Sequence, residues 1–275
     1  MKAFLTTKLL LFFWLFIYCP LLPAMEGEDA TSYLAAGVGM EQLTYKEKIP
    51  DLDLTSSDTE MTNWVLHLEG QKGWQNVFVG AKGLIPFSTD ESRETWTRAG
   101  QFEQANSLTY RWTRVDIHIG CFLSRLFNPY LGIAWSYVEQ DRSDFDNVSS
   151  PGPIKETATE EVKSFSALLG IQGAFSLTDR WSFAYSAEYL LPFYSKTTNT
   201  GLPGWEASNV DGYSYSLRGR LNYVFTRTVV AALQLAGGRQ HWDGSGWIPA
   251  GDSRAKWPEN DTDFISGFIN IYKYF

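Results

Sequence analysis

The sequence predicts an all-β protein, a transmembrane antiparallel up-and-down β-barrel of about ten strands. Three observations support this fold class. The chain opens with a segment typical of an export signal, aromatic residues make up 16% of it, and beyond residue 24 apolar residues alternate with polar ones. A helical span needs roughly 20 consecutive apolar residues, and no such stretch follows residue 24. A closed barrel also satisfies every backbone hydrogen bond in lipid, with strands that are apolar only on alternate residues.

Residues 1–24 have the parts of a secretory signal peptide. Lys2 and Lys8 give it a positive start, and residues 9–18 form an unbroken apolar core, LLLFFWLFIY. Ala24 follows two prolines and offers a small residue for cleavage. Because the apolar core is too short for a retained helical span, we expect a cleaved signal at 1–24.

The remaining residues 25–275 are expected to form a single barrel domain. Loss of the two signal lysines lowers the net charge from −8 to −10, which argues against nucleic acid as a partner. Cys19 follows residues too bulky for a convincing lipoprotein signal, and it leaves with the predicted signal peptide. We expect no cysteine-based metal motif, no other metal site and no cofactor.

Period-two alternation locates the strands. From Tyr213 to Phe225 the sequence reads YSYSLRGRLNYVF, so one face carries aromatic and aliphatic side chains while the other carries mainly serine, arginine and asparagine. The first face suits lipid and the second suits a polar lumen. The ten predicted strands are 33–46, 60–70, 75–86, 107–124, 129–140, 161–177, 181–194, 212–225, 228–241 and 262–275.

The predicted connections alternate strictly between short and long. The short ones are 70–74, 125–128, 178–180 and 226–227, and the long ones are 46–59, 87–106, 141–160, 195–211 and 242–261. Short periplasmic turns and long extracellular loops are typical of membrane barrels. The third long loop is rich in acidic residues, which we interpret as a solvated outer surface rather than a dedicated cation-binding surface.

The final segment, DFISGFINIYKYF, ends on Phe275 after aromatics at Tyr272 and Tyr274. Here the chain resembles the bacterial outer-membrane β-barrel superfamily, whose last strand typically ends on an aromatic residue read by the barrel-insertion machinery. The resemblance implies the outer membrane of a Gram-negative bacterium as the location. It also implies outer-membrane lipid and lipopolysaccharide as neighbours. Lys273 replaces the usual aromatic two residues before the end, where a lysine can reach the headgroups.

Ten ionisable residues fall on the predicted lumen-facing positions of their strands. They are Glu41, His67, Glu69, Lys82, Arg114, Asp116, His118, Glu188, Arg218 and Arg220. Carboxylates and permanent cations are equal in number, and side chains can nearly fill so narrow a barrel. We therefore expect a paired polar plug, since unpaired buried charge is costly. The functional alternative is that Asp116 orients His118 as a general base.

The strand number and length also resemble the omptin proteases of outer membranes. That family works with acidic residues near the second loop and an Asp–His pair from the fourth loop. The predicted fourth loop here, 195–211, contains no histidine, and His241 and Asp243 lie at the start of the fifth loop instead. These two residues, with Asp116 and His118, are the catalytic candidates. The resemblance to the omptins implies the architecture only.

The fifth loop also contains Trp242, Trp247 and Trp257. Exposed tryptophans can stack on sugars or anchor a protein partner, but those of a long loop also fold over a barrel mouth. We expect a non-enzymatic integral outer-membrane protein that acts in surface structure or recognition, or as a narrow conduit. The alternatives are an outer-membrane hydrolase, omptin-like or lipid-modifying, with its site at the rim or in the lumen, and a porin-like small-solute channel. No extracellular ligand is indicated.

Overall fold

The computed structural model describes residues 32–148 and 156–275, and the predicted signal peptide lies outside them. The barrel strands are β1 Tyr33–Ile49, β3 Thr59–Trp74, β4 Val77–Thr89, β6 Gln101–Cys121, β7 Asn128–Asn147, β8 Ala158–Ser176, β9 Trp181–Asn199, β11 Gly212–Thr226, β12 Val229–Trp242 and β15 Glu259–Tyr274. Short strands in the outer loops are β2 Leu54–Ser56, β5 Ser92–Arg98, β10 Glu206–Ser208, β13 Ile248–Ala250 and β14 Ser253–Ala255. In these two described ranges no helix has the length and apolarity to cross a membrane.

Each long strand pairs antiparallel with its neighbour in the chain, and the last strand closes the ring on the first. The closing register runs from Tyr33 opposite Tyr274 to Lys48 opposite Glu259 without a shift. A closed ring leaves no unpaired strand edge in lipid. The predicted ten-stranded transmembrane barrel, with short periplasmic turns and long extracellular loops, is confirmed.

The predicted strands are all found, but several extend further at their outer ends than the alternation indicated. β6 begins at 101 rather than 107, and β7 continues to 147 rather than 140. One predicted turn is wrong: residues 70–74 belong to β3, and the turn is formed by Gln75 and Asn76. Gln75 has a φ of 45°, a left-handed conformation that is uncommon for a residue other than glycine.

The outward-facing side chains form an apolar band around the barrel. Its most exposed members include Leu34, Val38, Met40, Ile117, Ile133, Leu217, Leu235, Ile265 and Ile269, which are 47–70% exposed. A continuous apolar band of this size would be unfavourable in water, and it matches the lipid-facing belt of membrane barrels. Aromatics such as Trp181 and Tyr215 contribute to the same surface.

The barrel wall continues well above this band on the side of the long loops. In β1 the strand passes from Met40 to Glu47, a rise of roughly 20 Å. The outer surface of this extension carries ion pairs instead of apolar residues, for example Lys48 with Glu259 at 2.7 Å and Arg239 with Asp263 at 2.6 Å. The outer part of the barrel therefore stands in water, outside the membrane-spanning segments.

Candidate functional site

All ten residues predicted for the lumen lie inside the barrel, and we call them the inner ionic layer. Their side chains are at most 16% exposed. They come from strands on opposite sides of the ring, because alternate residues of every strand point inward. The inner ionic layer therefore crosses the membrane-spanning part of the lumen.

Lys82 pairs with two carboxylates of this layer. Its Nζ lies 2.5 Å from Glu188 and 3.2 Å from Asp116. Arg114 pairs with Glu41 in a similar way. These contacts give each of the three carboxylates a cation, which is what a buried charge requires.

Glu69 and Glu188 are also bound by neutral donors. Glu69 accepts hydrogen bonds from Tyr33 at 2.5 Å and Tyr272 at 3.3 Å. Glu188 accepts one from Tyr130 at 2.9 Å and one from Ser216 at 3.3 Å. These hydroxyls occupy much of the carboxylates' capacity to accept hydrogen bonds. Fewer oxygen lone pairs therefore remain for Arg218 and Arg220.

Arg218 and Arg220 are the weakly paired members of the layer. Arg218 is 3.9 Å from Glu69 and 4.0 Å from Glu188, and Arg220 is 3.9 Å from Glu69. These separations exceed hydrogen-bond distance. The guanidinium of Arg220 instead lies over the ring of Tyr272 at 4.1 Å, a favourable cation–π position.

The candidate dyad of Asp116 and His118 is formed, with Asp116 Oδ1 2.9 Å from His118 Nδ1. The other ring nitrogen points at the backbone, since a Cβ added to Gly80 would lie only 2.3 Å from His118 Nε2. This nitrogen has no room to reach a substrate. The geometry fits a structural histidine better than a general base.

His67 and Glu69 are also two residues apart on one strand, but His67 makes its shorter contact elsewhere. His67 is fully buried and its Nδ1 lies 2.8 Å from Asn270, while its Nε2 is 3.5 Å from Glu69. The amide of Asn270 thus makes the shorter contact. His67 and Asn270 join β3 to β15 over Gly37, the residue of β1 that lies between them in register.

His241 and Asp243 lie on the outer wall of the barrel, above the apolar band. His241 Nδ1 is 2.9 Å from Asp261, and its Nε2 is 3.1 Å from Asp243. Both ring nitrogens are therefore occupied by contacts with carboxylates. This arrangement stabilises the wall rather than supplying a general base.

An apolar plug fills the lumen between the inner ionic layer and the outer loops. Its members, each at most 6% exposed, are Leu43, Tyr45, Met61, Leu108, Tyr110, Trp112, Val138, Val162, Trp205, Ala207, Trp242, Trp257 and Phe264. Trp205 and Trp257 come from the fourth and fifth loops, which therefore fold into the barrel. Of the three predicted loop aromatics, Trp242 and Trp257 are buried, whereas Trp247 is 43% exposed.

Four charged residues that sequence reasoning missed form an outer carboxylate cluster beside the plug. Arg142 donates from Nη2 to Glu47 and from Nε to Glu94, both at 2.8 Å. Glu160 accepts the indole N–H of Trp257 at 2.9 Å. Each of the four residues is no more than 9% exposed. Three carboxylates thus surround one guanidinium.

The pKa shifts in this cluster follow from burial around a single cation. Burial raises the pKa of Glu47 from 4.5 to about 7, despite the opposing attraction of Arg142. Burial also raises the pKa of Glu160. At Glu94 burial is outweighed by Arg142 and by hydrogen bonds, so its pKa is lowered. With one guanidinium among three carboxylates, Glu47 and Glu160 therefore keep raised pKa values.

The predicted third loop, 141–160, was wrong at both of its ends. Arg142 belongs to β7 and Glu160 to β8, and both point into the barrel rather than into solvent. Extending the alternation two residues beyond the predicted end of β7, at 140, identifies Arg142 as an inward position. Glu47 similarly continues the inward series of β1 through Leu43 and Tyr45.

A small cavity and a larger vestibule lie inside the described part of the lumen. A cavity of about 70 Å³ between the inner ionic layer and the apolar plug is lined by serines such as Ser166 and Ser214, and it has room for only a few water molecules. On the side of the short turns a vestibule of about 750 Å³ is lined by Glu69, Arg218 and Arg220. Among the described residues no group of three or more histidine, cysteine or acidic side chains is placed to hold a metal ion.

Comparison with known proteins identifies the fold but no family. No protein-family description and no curated protein matches the sequence. Among solved structures, the outer membrane protease OmpT from Escherichia coli has a TM-score of 0.67 at 10% identity, over 91% of this chain and 99% of that one. The transport unit of the autotransporter AIDA-I from Escherichia coli has a TM-score of 0.42 at 9% identity, over 93% and 94% of the two chains. OprG from Pseudomonas aeruginosa has a TM-score of 0.35 at 9% identity, over 90% and 97%.

The likeness to the outer membrane protease, the one of the three with a TM-score above 0.5, shows that the chain has the fold of an outer-membrane β-barrel protein. At such low identity the likeness concerns the fold alone.

Proposed function

We propose that this protein is a non-enzymatic outer-membrane barrel whose closed lumen holds a rigid extracellular surface for structure or recognition. The observation that carries the proposal is the apolar plug, in which Trp242 and Trp257 lie 2% and 1% exposed. A packed apolar layer excludes the continuous water path that a channel needs. The chain would be exported and its signal peptide cleaved. The barrel-insertion machinery would then recognise the last strand through Phe275.

The surroundings support the same proposal. The apolar band faces outer-membrane lipid, and the charged wall above it lies at the level expected for lipopolysaccharide headgroups. The outer loops are tied together by the carboxylate cluster, so the outer surface is held in one arrangement. Trp247, at 43% exposed, is the large aromatic that this part of the fifth loop offers to an extracellular partner.

A hydrolase is supported less well by the same geometry. The Nε2 of His118 packs against Gly80, and both nitrogens of His241 contact carboxylates. Neither histidine has a hydroxyl or thiol nucleophile within hydrogen-bond distance among the described residues. A nucleophile–base contact is the minimum that covalent hydrolysis requires.

The test is single-channel conductance of refolded protein in planar bilayers, run beside a peptidase and lipid-hydrolase screen. We expect negligible conductance from the wild type. A double variant, Trp242→Ala with Trp257→Ala, should introduce conductance, whereas Trp247→Ala should not. Steady open conductance of the wild type, or hydrolysis that disappears in His118→Ala or His241→Ala, would contradict the proposal.

A further inference from the structure

The floor of the periplasmic vestibule carries two arginines that each have one unsatisfied donor atom. Arg218 and Arg220 lie two residues apart on the inward face of β11, and the Nε atom of each is buried without a hydrogen-bond partner among the described residues. Their nearest carboxylate oxygens are 3.9–4.0 Å away. A guanidinium has five N–H donors, and a buried donor that makes no hydrogen bond costs free energy. Each of these side chains therefore has one donor, its Nε, for which the described residues supply no acceptor.

The neighbouring carboxylates are engaged elsewhere. Glu69 accepts the hydroxyls of Tyr33 and Tyr272, and Glu188 is bound by Lys82 at 2.5 Å. Each carboxylate therefore neutralises the arginines at a distance without using their donors. The positive and negative charges of the inner ionic layer are therefore equal in number, but some of its N–H donors have no acceptor.

The wall of the vestibule offers further polar groups at the same level. Asn222 is 5% exposed, its amide nitrogen donates to Ser182, and its Oδ1 has no partner among the described residues. Gln172 and Gln71 hydrogen-bond each other at 3.1 Å nearby. Together with the arginines they line a space of about 750 Å³ that opens toward the periplasm. This volume lies within the range of small-molecule sites.

We propose that the floor of this vestibule is a binding site for a small oxyanion-bearing molecule of the periplasm. The guanidinium forks of Arg218 and Arg220 would donate to a carboxylate or phosphate group, which matches their planar geometry. The amides of the wall would contact the rest of the ligand. Glu69 acts as the resident counter-ion that the ligand must compete with. The site faces the periplasm, because the inner ionic layer and the apolar plug separate it from the outer surface.

The test is calorimetric titration of the refolded mature protein with inorganic phosphate and, separately, with acetate. We expect saturable binding of at least one of the two, and the stronger one identifies the oxyanion class. Arg220→Met should weaken binding at least tenfold. Glu69→Gln should strengthen it, because it removes the competing negative charge. Arg239→Met is the matched control: it removes a cation from the outer wall and should leave the affinity unchanged.

The variants also separate loss of binding from loss of folding. Glu69→Gln combined with Arg220→Met keeps the layer neutral, so it should fold, shown by a strand-type circular-dichroism spectrum, and still fail to bind. No saturable binding of either anion to the wild type would overturn the proposal. Equal binding by the wild type and by the folded double variant would overturn it as well.

Discussion

Trp257 donates its indole N–H to the carboxylate of Glu160 at 2.9 Å, and both side chains are buried although 97 residues separate them in the chain. The contact fastens the fifth loop to β8 inside the barrel. Trp257→Phe keeps an aromatic ring but removes the donor, and we expect a loss of about 1–3 kcal/mol in the free energy of unfolding. The measurement is denaturant unfolding in detergent, with proteolysis of the fifth loop as a second readout. Trp247→Phe, at an exposed position, should change neither.

The outer carboxylate cluster makes stability depend on pH. The pKa of Glu47 is raised from 4.5 to about 7 in the folded protein, so between these values only the folded state holds this proton. The stability that the protonated Glu47 gives to the folded state is therefore fully present below about pH 4.5. It is lost as the pH rises through 7, which lowers the free energy of unfolding by on the order of 3 kcal/mol. The raised pKa of Glu160 acts in the same direction, whereas the lowered pKa of Glu94 acts in the opposite one.

Glu47→Gln should remove most of this dependence, because the amide stays neutral at every pH. We expect the variant to gain stability relative to the wild type as the pH is raised from 5 to 8, measured by denaturant unfolding at each pH. A constant difference between the two proteins over that range would show that Glu47 has an ordinary pKa in the folded state.

Lys82 holds two carboxylates at once and is 7% exposed. Lys82→Met leaves Asp116 and Glu188 buried without their closest cation, and we expect a loss of roughly 3–5 kcal/mol in unfolding free energy. Adding Glu188→Gln to Lys82→Met should recover part of the loss, since it removes one of the two unpaired charges. A double variant no more stable than Lys82→Met would argue against the pairing.

Phe275 should matter for assembly rather than for the stability of the finished barrel. It is 76% exposed, and its backbone N–H donates to Ser32 at 3.0 Å. A single such hydrogen bond contributes about 1 kcal/mol. Deleting Phe275 should therefore lower the amount inserted in cells while leaving refolding in micelles intact. Phe275→Tyr keeps the aromatic ring and serves as the control. Normal surface levels of the deletion variant would refute an assembly role.

The alternation of apolar and polar residues was enough to predict most of the fold. Because a strand has period two, the lipid side and the lumen side of β11 could be read from Tyr213 to Phe225 directly. The alternation did not show where each strand leaves lipid, since an inward residue in water looks the same as one in the membrane. For this reason Glu47 and Arg142 were placed outside the predicted strands.

The ion pairs inside the lumen could not be predicted from the inward or outward position of each residue alone. Equal numbers of carboxylates and cations predicted a paired layer, yet hydroxyls from Tyr33 and Tyr272 compete for Glu69 and leave Arg220 at 3.9 Å. Which residues face each other across a barrel depends on strand register, and register is not visible in one strand's sequence. The role of Trp257 depended likewise on a loop path with no periodic pattern.

The seam between β1 and β15 sets the order in which the molecule can be completed. The last strand begins at Glu259 and the first at Tyr33, so neither has its second neighbour until nearly the whole chain has emerged. His67 meets Asn270, and the plug receives Phe264, only when this seam forms. Loop closure over so long a chain is slow and entropically unfavourable. Until then the strands at the two ends of the sheet each have one unpaired edge, and the sixteen residues of β15 close the wall.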